Sequence, residues 1–203
     1  MQRIFPDMDS KHNLLPRDGV VHYFGRIFSK TEADRYFEML LRTIAWSHDE
    51  IFLFGKKIVT KRKVAWYGDR AFEYTYSKTT KKAQAWPSGL LEIKMAATHS
   101  SGESFNSCLL NLYHSGAEGM GWHSDDEKEL KQNGAIASVS FGAARRFTLK
   151  HKKTKEKLSI NLEHGSLWLM KGPTQAHWLH RLPTSKKVHG PRINLTFRTF
   201  IGD

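Results

Sequence analysis

The stretch RINLTFR, residues 192–198, alternates strictly between polar and apolar side chains. Because successive side chains of a β-strand point to opposite faces of a sheet, the three apolar residues share one face, which belongs in a core between the sheet and helices. The other face carries Arg192 and Arg198. If that face is solvated, the pattern is an ordinary amphipathic strand. If it lines an interior between sheets, the arginines require anionic partners, because an unpaired buried cation is costly.

Short runs of β-forming residues, separated by turn residues, follow Gly102. They are residues 108–113, 135–141, 146–150, 157–162, 166–170, 176–182 and 192–200. Their spacing of roughly 8–12 residues indicates a sandwich or barrel rather than alternating βαβ units. Upstream, Ser29 and Glu32 form a capping-box signature for one helix, and Ser88 is an N-cap candidate for a second. The sequence therefore predicts a mainly-β α+β fold, a jelly roll buttressed by N-terminal helices.

The chain has 203 residues and an excess of basic over acidic ones, 32 Lys+Arg against 20 Asp+Glu, for a formal net charge of +12. We expect a loosely ordered segment over residues 1–20 and a single domain over residues 21–203. The charge favours a polyanionic partner, with nucleic acid ahead of an anionic membrane surface.

No apolar stretch approaches the ~20 residues of a membrane helix, and the first residues lack the apolar core of a signal peptide. The single cysteine, Cys108, cannot form an internal disulfide. We therefore expect a cytoplasmic protein, or a nuclear one in a eukaryote, that does not contact membranes. A monomer without an obligatory protein partner is the default expectation.

His123 and Asp125 lie two residues apart, so in an extended segment both side chains point to the same side and can reach one metal ion. A third ligand must come from elsewhere. Two histidines and one carboxylate form the facial arrangement that leaves positions open on Fe(II), whereas a zinc hydrolase with the same ligands is the alternative. The downstream histidines that could complete the set are His151, His164, His177, His180 and His189.

A second polar strand helps to separate iron from zinc. Asn111 and Tyr113 share a strand face about ten residues before His123, and both can donate hydrogen bonds to carboxylate oxygens. Arg192 and Arg198 can pair with carboxylates bidentately. An open metal site beside a pocket for a dicarboxylate indicates 2-oxoglutarate as co-substrate rather than hydrolysis.

Taken in order, these motifs resemble those of the AlkB family of nucleic-acid dealkylating dioxygenases. The matching segments are Asn111-Leu112-Tyr113, His123-Ser124-Asp125-Asp126, His180 and residues 192–198. The similarity runs from Ile51 to Phe200, and it is strongest to the subgroup acting on double-stranded DNA. Leu112 stands where many relatives have a basic residue, but its side chain should point away from the pocket.

The resemblance implies a double-stranded β-helix in which Fe(II) is held by His123, Asp125 and His180. The residues that it implies for 2-oxoglutarate are Asn111, Tyr113, Arg192, Asn194 and Arg198. In the implied reaction, O2 and 2-oxoglutarate are converted to succinate and carbon dioxide while the alkyl carbon on a base nitrogen is hydroxylated. The hemiaminal then collapses to an aldehyde and a repaired base, such as adenine from 1-methyladenine or cytosine from 3-methylcytosine.

A base must leave its stack to reach a metal inside a barrel. The resemblance assigns Tyr74 and Tyr76 to the faces of that base, although the residues alone favour core packing for such tyrosines. It assigns Asp126 to the base edge, a role that Glu127 could fill instead.

Residues 51–64 read as a β-hairpin with an apolar tip followed by cations. Leu53 or Phe54 could fill the gap that a flipped base leaves, and Arg62 would hold phosphates. The alternative is a hairpin packed on the sheet with Phe54 buried. A basic turn at residues 150–157, and more weakly residues 186–189, could contact the opposite DNA strand or simply be solvated.

Three other functions stay open. The same chemistry could act on RNA or single strands, against which the apolar hairpin tip argues. A related oxygenase could hydroxylate a protein or small molecule, which the positive charge disfavours. A nucleic-acid-binding module without catalysis would require the histidine and aspartate motifs to be accidental.

Overall fold

The structure is a computed structural model. It describes residues 12–53, 56–76 and 79–202, with backbone alone for residues 51–53, 56–58, 74–76 and 79–81. The helices are α1 (Lys30–Thr43), α2 (Ser88–Ser101) and α3 (Thr174–His177). The strands are β1 (Val20–Arg26), β2 (Ser47–Leu53), β3 (Lys56–Gly68), β4 (Glu73–Tyr76), β5 (Thr79–Lys82), β6 (Gln84–Ala85), β7 (Ser107–Tyr113), β8 (Met120–His123), β9 (Ile136–Gly142), β10 (Arg145–His151), β11 (Lys157–Leu162), β12 (Ser166–Lys171), β13 (Trp178–Leu182) and β14 (Arg192–Arg198).

Two sheets form the body of the fold. The larger has the order β1-β12-β9-β14-β7-β3-β2, with β6 beside β3, and the smaller has the order β11-β10-β13-β8. Strands β4 and β5 make a separate pair. The predicted jelly roll with N-terminal helices is therefore confirmed. No helix in the described part of the chain is long and apolar enough to cross a membrane.

Strand β14 separates the two interiors of the molecule, as its alternation predicts. Ile193, Leu195 and Phe197 are fully buried in a cluster that includes Leu40 of α1 and Leu90 of α2. The polar side chains of β14 consequently face the space between the sheets. A second apolar cluster joins the sheets there and is built around Trp168, Trp178 and Leu149.

The helix starts follow the sequence in one case and depart from it in another. The Ser29 backbone N–H donates to the Glu32 carboxylate at 2.9 Å, and the Glu32 N–H donates to the Ser29 hydroxyl at 3.3 Å, so the capping box at α1 is confirmed. The Ser88 prediction is wrong by one residue, because Pro87 occupies the N-cap and Ser88 is already helical. Proline suits this place since it has no N–H to satisfy.

Two other expectations need correction. The predicted strand over residues 176–182 begins only at Trp178, because Thr174–His177 forms one helical turn. Residues 12–20 are packed rather than loose. Leu15 is buried, the Asn13 side chain accepts hydrogen bonds from the Leu15 and Val21 N–H groups, and the Trp178 indole donates to the Arg17 carbonyl. Residues 1–11 lie outside the described part of the chain.

Strand β14 provides a test of this core. Leu195 is fully buried, so Leu195→Ala should lower the free energy of unfolding by about 2–5 kcal/mol through lost burial and a residual cavity. Leu91 on α2 is 38% exposed, and Leu91→Ala is the matched control, with an expected change within about 1 kcal/mol. Denaturant unfolding followed by tryptophan fluorescence measures both variants. Equal losses in the two would contradict the described packing.

Candidate active site

Strand pairing in the smaller sheet brings two histidines together. Strands β8 and β13 are antiparallel neighbours with His123 directly opposite His180, and the ring centroids are 4.2 Å apart. Asp125 follows β8, and its Oδ1 lies 3.7 Å from His123 Nε2 and 3.8 Å from His180 Nε2. One ligand atom from each residue lies within 4.8 Å of the other two. The three predicted ligands therefore converge on a space of the size of one metal ion.

Hydrogen bonding and burial set the ionisation of this group. His123 Nδ1 lies 2.8 Å from the Gly121 carbonyl oxygen, which can only accept, so neutral His123 carries its hydrogen there and leaves the Nε2 lone pair free. Burial lowers the pKa of His180 to about 4. Burial alone would raise the pKa of Asp125, but Arg198 and the two histidines outweigh it, and the pKa is lowered. This donor set fits the open-faced Fe(II) site of oxygenases.

Three of the other candidates for the third metal ligand make their contacts elsewhere, namely His151, His164 and His177. His151 Nδ1 accepts the Thr154 N–H at 3.0 Å, so the neutral ring carries its hydrogen on Nε2, 3.1 Å from the Asp18 carboxylate. His177 stacks on His151, and these residues with Asp18 form a second compact cluster. Both ring nitrogens of His151 therefore take part in hydrogen bonds, and neither has a lone pair free for a metal ion. His164 accepts a backbone N–H and pairs with an aspartate of α1.

Strands β7 and β14 place the predicted co-substrate residues opposite one another. Arg192 lies opposite Tyr113, and Asn194 lies opposite Asn111. Arg192 is only 2% exposed, and its guanidinium donates to the Ser140 hydroxyl at 2.9 Å and to the Asn194 side-chain oxygen at 2.6 Å. Burial lowers the pKa of Arg192 to about 10.

We call the residues of β7 and β14 around Arg192 the cradle. Some hydrogen-bond donors and acceptors of the cradle have no partner. Within the described residues, Arg192 pairs with no carboxylate, and its Nε and the Asn111 Oδ1 are buried without a hydrogen-bond partner. Such buried groups are costly unless something fills the space beside them. A dicarboxylate supplies the anion that the buried guanidinium lacks, so the residues fit 2-oxoglutarate.

Arg198 connects this cradle to the metal ligands. Its Nη1 lies 3.9 Å from Asp125 Oδ2 and 3.8 Å from Glu127 Oε1. The two arginines of β14 therefore hold different positions: Arg192 lies deep between the sheets, and Arg198 lies beside the metal group.

Comparison with known proteins agrees with this geometry. The sequence profile described as 2OG-Fe(II) oxygenase superfamily matches residues 20–198. DNA oxidative demethylase ALKBH2 of Mus musculus is 39% identical over 186 residues, which cover 86% of this chain and 78% of that protein. The chain belongs to the AlkB family of 2OG-Fe(II) oxygenases. It is thus an Fe(II)- and 2-oxoglutarate-dependent dioxygenase, as its motifs predict.

Further relatives of this AlkB-family chain extend the comparison. The ALKBH2 protein of Homo sapiens is 39% identical, covering 86% of this chain and 71% of its own length. Alpha-ketoglutarate-dependent dioxygenase alkB homolog 3 of Bos taurus is 44% identical over 123 residues, 56% of this chain and 43% of that protein. The solved structure of OsALKBH1 superposes with a TM-score of 0.60 over 92% of this chain and 99% of its own, at 15% identity, which supports the fold alone.

Carboxylates line the cleft beside the metal ligands, which has a volume of about 490 Å³. Asp126 is exposed there, accepts a hydrogen bond from the Ser124 hydroxyl at 3.1 Å and lies 3.9 Å from Lys152 Nζ. Burial raises the pKa of Glu127, whose Oε2 is buried without a partner. Both carboxylates expected for the base pocket are therefore next to Asp125.

The structure corrects the role expected of Arg62. Its guanidinium is buried and pairs with the Asp49 carboxylate at 2.7 Å, with a further contact to the Met120 sulfur. An arginine committed to an internal ion pair does not offer its charge to a phosphate. Phe54 and the side chains of Leu53, Tyr74 and Tyr76 lie outside the described part of the structure.

No sequence motif identified two supporting residues, Gln175 and Arg145. The Gln175 side-chain oxygen accepts the Asp125 N–H at 2.9 Å, and Lys152 Nζ donates to the Gln175 backbone carbonyl at 2.9 Å. Together they hold the loop that carries the metal carboxylate. Gln175 lies in the helical turn Thr174–His177, just before the residues 176–182 that the sequence predicts as a strand. The breaker signal of Gly172 and Pro173 marks that turn in the sequence.

Buried Arg145 is the second such residue. It donates to the carbonyls of Ser115, Glu118 and Pro183 at 3.2, 2.8 and 2.8 Å. These bonds join the loop before β8 to the segment after β13, and so they support the two strands that carry His123 and His180. No sequence motif marks such a contact, because its partners are backbone groups.

Arg192 gives a test of the dicarboxylate cradle. Arg192→Met removes a buried charge, so the ligand-free protein should be as stable as the wild type or more stable. The rise in Tm on adding 2-oxoglutarate should vanish, because losing one partner of a buried ion pair costs about 2–5 kcal/mol, at least 30-fold in affinity. Arg192→Lys keeps the positive charge but lacks the two parallel N–H donors of the guanidinium. Its 2-oxoglutarate affinity should lie between those of the wild type and the methionine variant. Unchanged 2-oxoglutarate affinity in the methionine variant would refute the assignment.

Gln175 gives a second test. Gln175→Leu leaves the Asp125 N–H without its acceptor and should weaken metal binding by about 10- to 100-fold, measured by Co(II) titration and its visible spectrum. Gln175→Glu retains an acceptor oxygen and should restore most of the affinity. Gln132→Leu, at an exposed glutamine of the same cleft, is the control. A Co(II) spectrum that is the same in all four proteins would exclude a positioning role.

Proposed function

We propose that this chain removes alkyl groups from N-alkylated bases of the 1-methyladenine and 3-methylcytosine type in DNA, with duplex DNA as the main substrate. The observation that carries the proposal is the cleft in which Asp126 and Glu127 adjoin the metal ligand Asp125. Both alkylated bases are cations at neutral pH, so carboxylates favour them over unmodified bases, whereas the +12 chain favours the phosphates around them.

The roles of the individual residues are those that the family resemblance implies, and they are part of this proposal. Fe(II) is held by His123, Asp125 and His180, and it supplies the oxygen chemistry when bound. The 2-oxoglutarate molecule lies in the cradle formed by Asn111, Tyr113, Arg192, Asn194 and Arg198. Tyr74 and Tyr76 contact the faces of the flipped base.

The DNA assignment rests on the relatives and on the hairpin sequence. The mouse and human relatives carry the name DNA oxidative demethylase, and that is the activity proposed for this chain. Residues 51–64 place Leu53 and Phe54 before Lys56 and Lys57, a sequence suited to filling the gap in a duplex beside phosphates. A single-stranded substrate would leave such an apolar tip without a stack to enter.

Formaldehyde release from a duplex with one 1-methyladenine tests the proposal. We expect release only when Fe(II) and 2-oxoglutarate are both present, and faster release from the duplex than from the same sequence as single-stranded DNA or RNA. Asp125→Ala should abolish release while the Kd for the duplex changes less than about threefold, because phosphate binding depends on surface cations.

The possible contrary results are distinct. Equal or faster release from RNA would transfer the activity to that substrate. Turnover of 2-oxoglutarate without release from any nucleic acid would retain the oxygenase and discard the DNA lesion. Loss of duplex binding in Asp125→Ala would contradict the separation of metal and phosphate contacts.

A further inference from the structure

The strands that carry the metal histidines present a different chemistry on their other side. His123 and His180 point toward the larger sheet, so their neighbours Trp122 and Arg181 point outward. Arg181 Cζ lies 4.5 Å from the Trp122 ring centroid, and Lys150 Nζ lies 4.4 Å from the same ring. An aromatic ring with two cations against it therefore lies directly behind the metal site.

More cations extend this surface along the smaller sheet. Arg146 and Lys157 point outward from β10 and β11 and are exposed. We call the side defined by Trp122, Arg146, Lys150, Lys157 and Arg181 the outer cationic face. Strands β8, β10, β11 and β13 contain no aspartate or glutamate.

The outer cationic face contains a cleft of about 640 Å³. Its lining combines Arg146, Lys157 and Arg181 with hydroxyl groups such as those of Thr148 and Ser159. Arginine, lysine and small hydroxyl side chains are the groups that contact phosphate oxygens in nucleic-acid complexes. No carboxylate belongs to the lining.

The cations of this face differ from those of helix α1. On α1, Lys30, Arg35 and Arg42 each pair with a carboxylate. Among the described residues, the four cations of the outer face form no ion pair, and the Arg181 Nε is buried without a hydrogen-bond partner. Four cations without counter-charges, one of them with an unused buried donor, indicate a surface that receives an anion.

We propose that the outer cationic face binds the phosphodiester backbone of the nucleic-acid substrate at a distance from the flipped base. This inference rests on the proposed function and deepens it. Lys150 and Arg181 both lie against the Trp122 ring, so the ring is poorly placed to stack on a base. The contact with nucleic acid should therefore be independent of base sequence. From Arg146 to Lys150 the strand spans about 13 Å, comparable with the rise of about four nucleotides along the axis of a DNA duplex.

A continuous path joins this face to the active-site cleft. Lys150 and Lys157 are paired at the end of the β10–β11 hairpin, and Lys152 just beyond lies 3.9 Å from Asp126 and donates to the Ser124 hydroxyl. A phosphodiester backbone that leaves the cleft at Asp126 can cross this turn and continue along the outer cationic face. Nucleic acid is therefore favoured over an acidic peptide or membrane, neither of which would have to meet the active site.

The test compares two charge-matched double variants of the full chain. Arg146→Gln/Arg181→Gln removes two cations of the outer face, and Arg35→Gln/Arg42→Gln removes two from α1, which packs on the larger sheet. Fluorescence anisotropy with an unmodified duplex over a salt series gives the Kd and its salt dependence. The first variant should weaken binding about 10- to 100-fold at low salt and reduce the salt slope by about 1.8, because each lost phosphate contact contributes about 0.9. The α1 variant should change the Kd less than about threefold.

A charge-preserving variant guards against misfolding. Arg146→Lys/Arg181→Lys should restore most of the salt slope if the face acts through charge. Slopes that are equal in the two glutamine variants would overturn the proposal. So would polyglutamate or anionic phosphatidylserine vesicles binding as tightly as the duplex with the same dependence on Arg146 and Arg181.

The readout is separable from the proposed reaction. Binding of unmodified duplex requires no demethylation, so an enzyme that releases no formaldehyde can still confirm or refute this face. With a methylated trinucleotide, too short to reach the outer cationic face, kcat and KM of the Arg146→Gln/Arg181→Gln variant should match those of the wild type. A fall in trinucleotide kcat would refute the assignment to backbone binding.

Discussion

The pairing of His180 opposite His123 is the constraint on which the rest of the site depends. A slip of one residue between β8 and β13 would turn one histidine outward and bring Trp122 or Arg181 into the interior. The register is secured from both ends. Trp178, fully packed between the sheets, fixes the start of β13, and the Arg145 guanidinium ties the segment after β13 to the loop before β8. Packing and strand register thus fix the relative positions of the two histidines proposed as metal ligands.

The proposed 2-oxoglutarate site keeps polar groups in the interior at a cost in folding stability. Buried Arg192 has no carboxylate partner within the described residues, and the Asn111 side-chain oxygen is also unmatched. An apolar strand at this place would fold at lower cost. The opposite face of β14 offsets the penalty, since Ile193, Leu195 and Phe197 are fully buried against the helices. One strand therefore combines a fully buried apolar face with a buried guanidinium whose Nε has no hydrogen-bond partner, a conflict that is expected at a functional site.

The sequence predicts features that depend on the local alternation of polar and apolar residues. It does not predict contacts with residues that are distant in the chain. Alternation in residues 192–198 predicted which side of β14 is apolar, and the spacing of His123 and Asp125 predicted that they share a site. Arg62 was taken for a phosphate contact because nothing local reveals that Asp49 would pair with it across the hairpin. Gln175 was missed because its role requires Asp125, fifty residues earlier in the chain. Residues 12–20 pack through the Asn13 side chain and Leu15, contacts that composition does not reveal.

Charge of opposite sign is separated over a short distance, and this suits the proposed reaction. Asp126 and Glu127 lie in the cleft, while Lys150, Lys152 and Lys157 surround the neighbouring turn. The phosphates are attracted to the cations before and after the reaction alike. The base is different, because dealkylation turns a cationic base into a neutral one and removes its attraction to the carboxylates. The same carboxylates that favour entry of the damaged base therefore stop favouring the repaired one, which can return to its stack while the backbone is still held.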